Sequence, residues 1–565
     1  MIKEKIGEII KKAIADLGIK ENIEIELSAP PKPEMGDFAF GCFPLAQSLG
    51  ESPVEVAEKL KETIKNITKD DFVEDVQTAG PYINFKIGSS YCIDGLKTIL
   101  KMNDKWGQTK MLKNKIFLAE HTDPNLFKEF HIGHMMTNSI GESLGRIAEF
   151  VGADVKQVTF QGDVGLHVAK TLYGMQNKKN EMPNDNIDVW TRQEFLGQCY
   201  AWGEKQYTIK NKNKAKQDII EINKKVYSRS DKQQNELYEI GKKWSLEYFD
   251  EIYKLVGSHF DHYFLESETF VDGKRLVEEN IGEIFEKSEG AIIFPGSKYG
   301  LHDRVFINSE GLPTYEAKDI GLFYKKWEKY NPDISLTITG GEQKQYFEVV
   351  KKAAGMINKE WEEKTVHLAH GTLRLKTGKM SSRTGDIVRA KKWIEDTADV
   401  VAVKMKKDDK QIAKKIAIAA IKYSILKVQA GKDIVYNQDE ALSFEGDTGP
   451  YLQYTYVRAL SVLAKLDFNE EEMEIKSVKV KIPTVGKTLL KFPEVVEQAF
   501  LSYSPHHIAT YLHKLASEFN SFYAQTRILD ENNSDYEYNI VLTKSIAQTL
   551  KNGLYLLGVE VVEEM

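Results

Sequence analysis

The chain has 565 residues, 42% hydrophobic and 28% charged, with a formal net charge of −7; this is an ordinary globular composition, and the length calls for about three domains. No apolar run approaches the roughly 18 uncharged residues that a membrane-spanning helix needs, and acidic Glu4, Glu8 and Asp16 among the first lysines are unlike a signal or transit peptide; a cytoplasmic protein without a membrane partner is expected. Cys42, Cys92 and Cys199 stand far apart with no metal-ligand spacing, so neither a disulfide framework nor a structural zinc or other metal site is expected.

In chain order, Ile2, Ile6, Ile9, Ile10, Ala13 and Leu17 recur at helical spacing and predict an amphipathic helix. A proline-rich turn at Pro30, Pro31 and Pro33 follows, then a short strand over Tyr82 to Phe85 after Gly80 and Pro81. Residues 1 to 110 are therefore expected to form an α+β module. KIFLAE, from Lys115, reads as an apolar strand; a loop and a helix over about Gly133 to Val151 follow it, the order that opens a nucleotide-binding α/β unit. Residues 175 to 265 are polar, Lys-rich and helical in pattern, which suggests an insertion. Strand signals at Gly290 to Phe294, Arg304 to Asn308 and Ser335 to Thr339 alternate with helices at Tyr315 to Tyr330 and Gln343 to Gly355, so the α/β sheet is expected to resume.

Beyond about residue 395 the periodicity is helical, with Ile508, Tyr511, Leu512, Leu515, Phe519 and Phe522 on one stripe and Ser504-Pro505 as its start signal. The expected fold is a Rossmann-type parallel-sheet catalytic domain over 111 to 395, with the N-terminal α+β module before it and an all-α bundle over 396 to 565 after it. Lysines crowd 205 to 225 and 404 to 415, and a basic face on an acidic protein can hold RNA.

Two motifs carry chemistry. His131-Ile132-Gly133-His134 stands where a strand hands over to a helix: the imidazoles share one side of a turn, Gly133 permits close approach, and the helix N-terminus favours phosphate. Lys379-Met380-Ser381-Ser382-Arg383 lies in a polar stretch and offers cationic and hydroxyl donors to a departing pyrophosphate. Either alone is a weak signal. Together, in this order, they resemble the two signature motifs of class I aminoacyl-tRNA synthetases, which implies ATP binding by His131, Gly133, His134, Lys379, Met380, Ser381 and Ser382, with Arg383 assisting.

The surroundings narrow the resemblance. Glu120 to Asn125, Gly162-Asp163-Val164-Gly165, Thr314 to Ile320, Phe444 to Tyr454 and Asn552 to Gly558 are similar to motifs of the arginyl-tRNA synthetases, as are Gly36-Asp37 and Gly80 to Asn84 near the start. The likeness covers nearly the whole chain, the insertion least. Tyr315 and Asp319, four apart on a helix, can present a hydroxyl and a carboxylate to a planar guanidinium. The resemblance adds Glu266 as a second guanidinium acceptor, Asn125 and Gln343 at the α-carboxylate and α-amino group, and Gly341 and Glu342 at ATP.

It further implies Mg2+ carried by the triphosphate, the tRNA for arginine as acceptor, a monomer, and tRNA contacts from Asp37, Tyr82, Asn84, Tyr451, Tyr454, Arg458 and Arg527. Thr159, Val164 and Tyr346 stand where the family usually has Asn, Trp and His, and Glu129 where a Pro is common. A class I synthetase for another amino acid and a catalytically silent tRNA-binding paralogue stay open as alternatives.

Overall fold

The computed structural model describes residues 2–19, 23–28, 30–68, 72–209, 213–376, 388–405, 409–466, 480 and 482–565. Contacts divide the chain into two units, one of Met1–Trp106, Arg458–Phe492 and Ser517–Thr549, the other of Gly107–Val457, Pro493–Ala516 and Leu550–Met565.

In the smaller unit the expected amphipathic helix forms over Ile2–Asp16, and Ile6, Ile10 and Ala13 are fully buried. It packs with the helix Pro53–Ile67, whose N-terminus is closed by a capping box between Ser52 and Glu55. Both cover a four-stranded antiparallel sheet in which Tyr82–Ile87 lies between Phe38–Gly41 and Val73–Ala79. The helix start read at Ser504-Pro505 falls one residue later, at His506.

The larger unit is built on five parallel strands: β1 (Ile116–Glu120), β2 (Asp154–Gln161), β3 (His262–Leu265), β4 (Ile334–Gly340) and β5 (Thr365–His370). Their order across the sheet is β3-β2-β1-β4-β5, a doubly wound arrangement that changes direction between β1 and β4. Ligands of such sheets bind outside the carboxyl ends of the strands at this point. Helix α1 (Ile132–Phe150) follows β1, α2 (Glu266–Glu279) follows β3 without a gap, and α3 (Tyr315–Tyr330) and α4 (Lys344–Ile357) flank β4. Leu118, Val158, Phe264 and Leu322 form a buried cluster between sheet and helix.

Two expectations are corrected here. The strands Ala291–Phe294 and Arg304–Ile307 do not rejoin the parallel sheet; with Glu286–Ser288 they make a separate antiparallel sheet of three. They are short and follow one another closely, so they pair as neighbours, whereas a parallel return needs a crossover. The insertion also ends earlier than read, because His262–Leu265 is β3 of the main sheet.

α2 and α3 cross at two glycines. A Cβ on Gly273 would fall 1.8 Å from the Ala317 carbonyl oxygen, and one on Gly321 would fall 1.9 Å from that of Thr269. Backbone meets backbone here, with no flexible side chain to yield. We expect Gly273→Ala to force the helices apart at a cost of about 3 kcal/mol, seen as a fall of several degrees in Tm. An unchanged melting curve would show that the crossing is slack.

Candidate active site

The turn after β1 carries local strain at the switch point. Thr122, Asp123 and Phe127 all have positive φ, at 79°, 41° and 65°, a region that side chains rarely enter unless their surroundings hold them there. Asp123 accepts hydrogen bonds from Phe160 N at 2.7 Å and Thr159 Oγ1 at 3.4 Å, and burial lifts its carboxyl to about 7. Asn138 donates to Thr122 Oγ1 at 3.2 Å. The Phe127 and Phe130 amides donate to Ser245 Oγ and Tyr248 Oη, both on the helix Lys232–Val256 of the lysine-rich insertion.

His131 and His134 then open α1 as a reciprocal cap. His131 Nδ1 accepts from Gly133 N at 3.1 Å and His134 N at 3.4 Å, while His134 Nδ1 accepts from His131 N at 3.3 Å. The rings stack with centroids 3.7 Å apart. Burial lowers both imidazoles below the usual histidine value, and Lys128 adds to this by its charge. Each ring is thus neutral near pH 7; with Nδ1 bound to backbone N–H, its proton sits on Nε2, available to an anion. At the end of β4, Gly341, Glu342 and Gln343 form an exposed turn leading into α4. His370, at the end of β5, bonds Thr137 of α1 at 2.9 Å.

Lys379, Met380, Ser381, Ser382 and Arg383 lie outside the described residues. The chain on either side is fixed in the larger unit. Lys376 N donates to Tyr436 O at 2.9 Å, and on the far side Ile132 N donates to Val388 O and Ala390 N to Phe130 O. Arg389 is held 2.8 Å from Glu129, so the residue that replaces the family's proline fastens this stem to the histidine turn.

Glu266 links Asn125, Tyr315, Lys318 and Asp319 into a second cluster. A Cβ on Gly162 would fall 2.2 Å from Asn125 Oδ1 and 3.6 Å from the Glu266 carboxyl carbon, so a side chain there would displace the Asn125 amide. Glu266, Glu316 and Asp319 each have a different partner. Buried Glu266 pairs with buried Lys318 at 2.7 Å, and Glu316 pairs with Arg304 at 3.1 Å. Asp319 instead accepts from the neutral hydroxyl of Tyr346, one turn beyond Gln343, and burial lifts it to about 7. The Lys318 ammonium lies 4.9 Å from the Tyr315 ring centroid.

Asp163 is wholly buried and positions the start of α2: it accepts from Ser267 N at 2.7 Å, Ser267 Oγ at 2.6 Å and Tyr238 Oη at 2.6 Å, with Lys242 at 3.3 Å. Val164, in place of the family's Trp, is 1% exposed.

Three family profiles tile the chain: "Arginyl tRNA synthetase N terminal domain" matches residues 4–87, "tRNA synthetases class I (R), catalytic domain" matches 95–438, and "DALR anticodon binding domain" matches 452–565. The chain belongs to the arginyl-tRNA synthetases. Its relatives include the arginine–tRNA ligase of Clostridium perfringens, 31% identical with both chains covered completely, and that of Borreliella burgdorferi, 30% identical over 100% of this chain and 99% of the other. The fold matches the solved arginyl-tRNA synthetase of Thermus thermophilus at a TM-score of 0.79 with 24% identity and full coverage of both chains. That of Plasmodium falciparum matches at 0.76 with 20% identity, over 100% of this chain and 99% of the other. The synthetase is thus an arginine–tRNA ligase that uses ATP.

The remaining candidate residues fall on both units of the synthetase. Tyr82, 41% exposed, and buried Asn84 line a cavity of about 400 Å3 with Pro30, Pro31 and Met35. Asp37 is engaged within the fold, accepting from Ile87 N at 2.9 Å and pairing with Lys487 at 2.8 Å. Tyr451, Tyr454 and Arg458 lie along one helix, Gly449–Leu463; Arg458 stands over the Tyr523 ring, and Arg527 is exposed.

Lys318, Tyr346 and Arg304 as carboxylate partners, Asp163 as an anchor and Lys128 and His370 beside the histidine turn were not singled out by sequence reasoning. The one available signal was the departure at Tyr346. Among the described residues no helix is long and apolar enough to cross a membrane, and no three His, Cys, Asp or Glu side chains gather as metal ligands.

Proposed function

We propose that the pocket around Asp319 receives the guanidinium of arginine and that the His131–His134 turn receives the phosphates of ATP. The observation that carries this reading is the charge pattern: Glu266 and Glu316 already face protein cations, whereas Asp319 faces a neutral donor. A cationic side chain is the group that site lacks. Asn125 and Gln343 hold the α-carboxylate and α-amino group, with Tyr315 and Glu266 completing the pocket.

The arginine carboxylate attacks the α-phosphorus of ATP in line and the P–O bond to pyrophosphate breaks; a hydroxyl of the terminal adenosine of the tRNA then attacks the arginyl carbonyl, losing its proton as AMP leaves. The protein's task is placement and charge stabilisation. His131 and His134 donate from Nε2, Gly133, Gly341 and Glu342 line the nucleotide seat, and Lys379, Ser381, Ser382 and Arg383, beside Met380, act on the leaving pyrophosphate. Magnesium belongs with the triphosphate, where it keeps phosphate and water ligands; when bound, it offsets phosphate charge. Residues 1 to 110, with Tyr82 and Asn84, would hold the tRNA, and Tyr451, Tyr454, Arg458 and Arg527 in 396 to 565 its anticodon arm, in a cytoplasmic monomer; residues 111 to 395 carry the chemistry.

The Asn125 amide makes no hydrogen bond among the described residues, which suits it to a substrate carboxylate. Asn125→Ala is expected to raise the KM for arginine about tenfold or more, the usual effect of losing a hydrogen bond to a charged group, with the KM for ATP within twofold. Aminoacylation kinetics with each substrate varied in turn test this. An equal rise in both constants would remove Asn125 from the amino-acid seat.

A further inference from the structure

Tyr346 is a departure from the family pattern, and the structure gives its hydroxyl a definite task. It projects from α4, partly buried, and donates to Asp319 Oδ2 on α3. Its ring has the Arg304 guanidinium 5.1 Å from its centroid, and Arg304 is itself held by Glu316 one turn before Asp319. We propose that Tyr346 is the positioning residue of the arginine pocket, fixing one oxygen of Asp319 so that the other is presented to the substrate guanidinium in a single orientation. This rests on the reading of Asp319 as the guanidinium acceptor.

The groups facing Asp319 explain why a donor is needed there. Glu316 comes from its own helix, Glu266 from α2 and Asp123 from the turn after β1, and all three disfavour its charge. Lys318 is committed to Glu266 and Arg304 to Glu316. Among these neighbours Tyr346 favours the ionised form, because a hydrogen bond to a carboxylate stabilises its charge. Phenylalanine removes that donor and keeps the ring beneath Arg304; histidine returns a donor at shorter reach.

The test compares the full-length wild type with Tyr346→Phe, Tyr346→His and Asp319→Asn in aminoacylation assays, with arginine and ATP varied separately from about pH 6 to about 8.5. Tyr346→Phe should raise the KM for arginine about tenfold, leave kcat and the KM for ATP within twofold, and move the acid limb of kcat/KM for arginine upward by roughly one pH unit; Tyr346→His should recover part of both. The proposal is overturned if Tyr346→Phe keeps the wild-type arginine KM and acid limb while Asp319→Asn is severely impaired, an outcome that leaves the pocket assignment standing. It is overturned too if Tyr346→Phe worsens both KM values and kcat alike, which marks a packing role. Should Asp319→Asn bind arginine normally, the pocket assignment fails and takes this proposal with it.

Discussion

Asp319→Asn is expected to lower kcat/KM for arginine by on the order of 10³-fold, because the change keeps the volume of the side chain and removes a carboxylate charge that, unlike those of Glu266 and Glu316, faces no protein cation. Truncating one partner of a close, desolvated charge pair costs about 2–5 kcal/mol, and about 4 kcal/mol is the stated factor. The pH dependence follows from the same group. Burial holds the Asp319 carboxyl near 7, so as pH falls through that value the carboxylate takes up a proton and the wild-type kcat/KM for arginine drops; the variant has no such limb.

Stability runs the other way. A carboxyl whose folded value lies above its unfolded value of 3.8 favours the folded state at low pH, and this advantage is lost as pH rises from about 4 to about 7. The variant should therefore melt higher than wild type at pH 8, with the difference shrinking in acid. A variant within tenfold of wild type toward arginine, or one that keeps the acid limb, contradicts the assignment.

The second large effect is expected at His134. Its Nδ1 closes the cap on His131 N, and its depressed imidazole value keeps the ring neutral, so the donor it offers is Nε2–H and needs no protonation. His134→Ala should slow tRNA-dependent pyrophosphate exchange by on the order of 10²–10³-fold, the range for loss of one donor at developing charge. The KM for arginine should stay within threefold of wild type. The lost cap costs about 1 kcal/mol, too little to unfold the protein, and a melting curve taken alongside separates this from the catalytic loss. Exchange within fivefold of wild type would show that the phosphates do not rest on this ring.

Much of the catalytic frame was legible in the sequence where local pattern and tertiary role coincide. The helix read over Tyr315 to Tyr330 forms over those residues, and the one read from Gly133 to Val151 forms over Ile132–Phe150, because each combines an apolar stripe with a clear start. The strands were harder. β3 is four residues, His262-Tyr263-Phe264-Leu265, too short for its alternation to stand out from the helical insertion before it. β5 holds two histidines and two threonine or alanine positions, and its strand character comes from pairing with β4 rather than from its own residues.

The site divides in the same manner. His131 with His134 and Tyr315 with Asp319 sit at spacings that put each pair on one side of a helical turn. Lys318 with Glu266, Glu129 with Arg389 and Tyr346 with Asp319 are 52, 260 and 27 residues apart, and no periodicity within a segment reveals a partner at that distance. Nor does sequence reveal that Arg458–Phe492 and Ser517–Thr549 cluster with the N-terminal residues.

The helix Lys232–Val256 bears on any attempt to reduce the enzyme to a minimal core. It belongs to the segment whose sequence reads as a polar, Lys-rich insertion, yet from it Ser245, Tyr248 and Tyr238 reach Phe127, Phe130 and Asp163. Excising it would strip a left-handed phenylalanine of its tether and leave an aspartate sealed in the interior with half its company gone. The segment is a keel for the turns that follow β1 and β2, and a shortened synthetase has to be trimmed elsewhere.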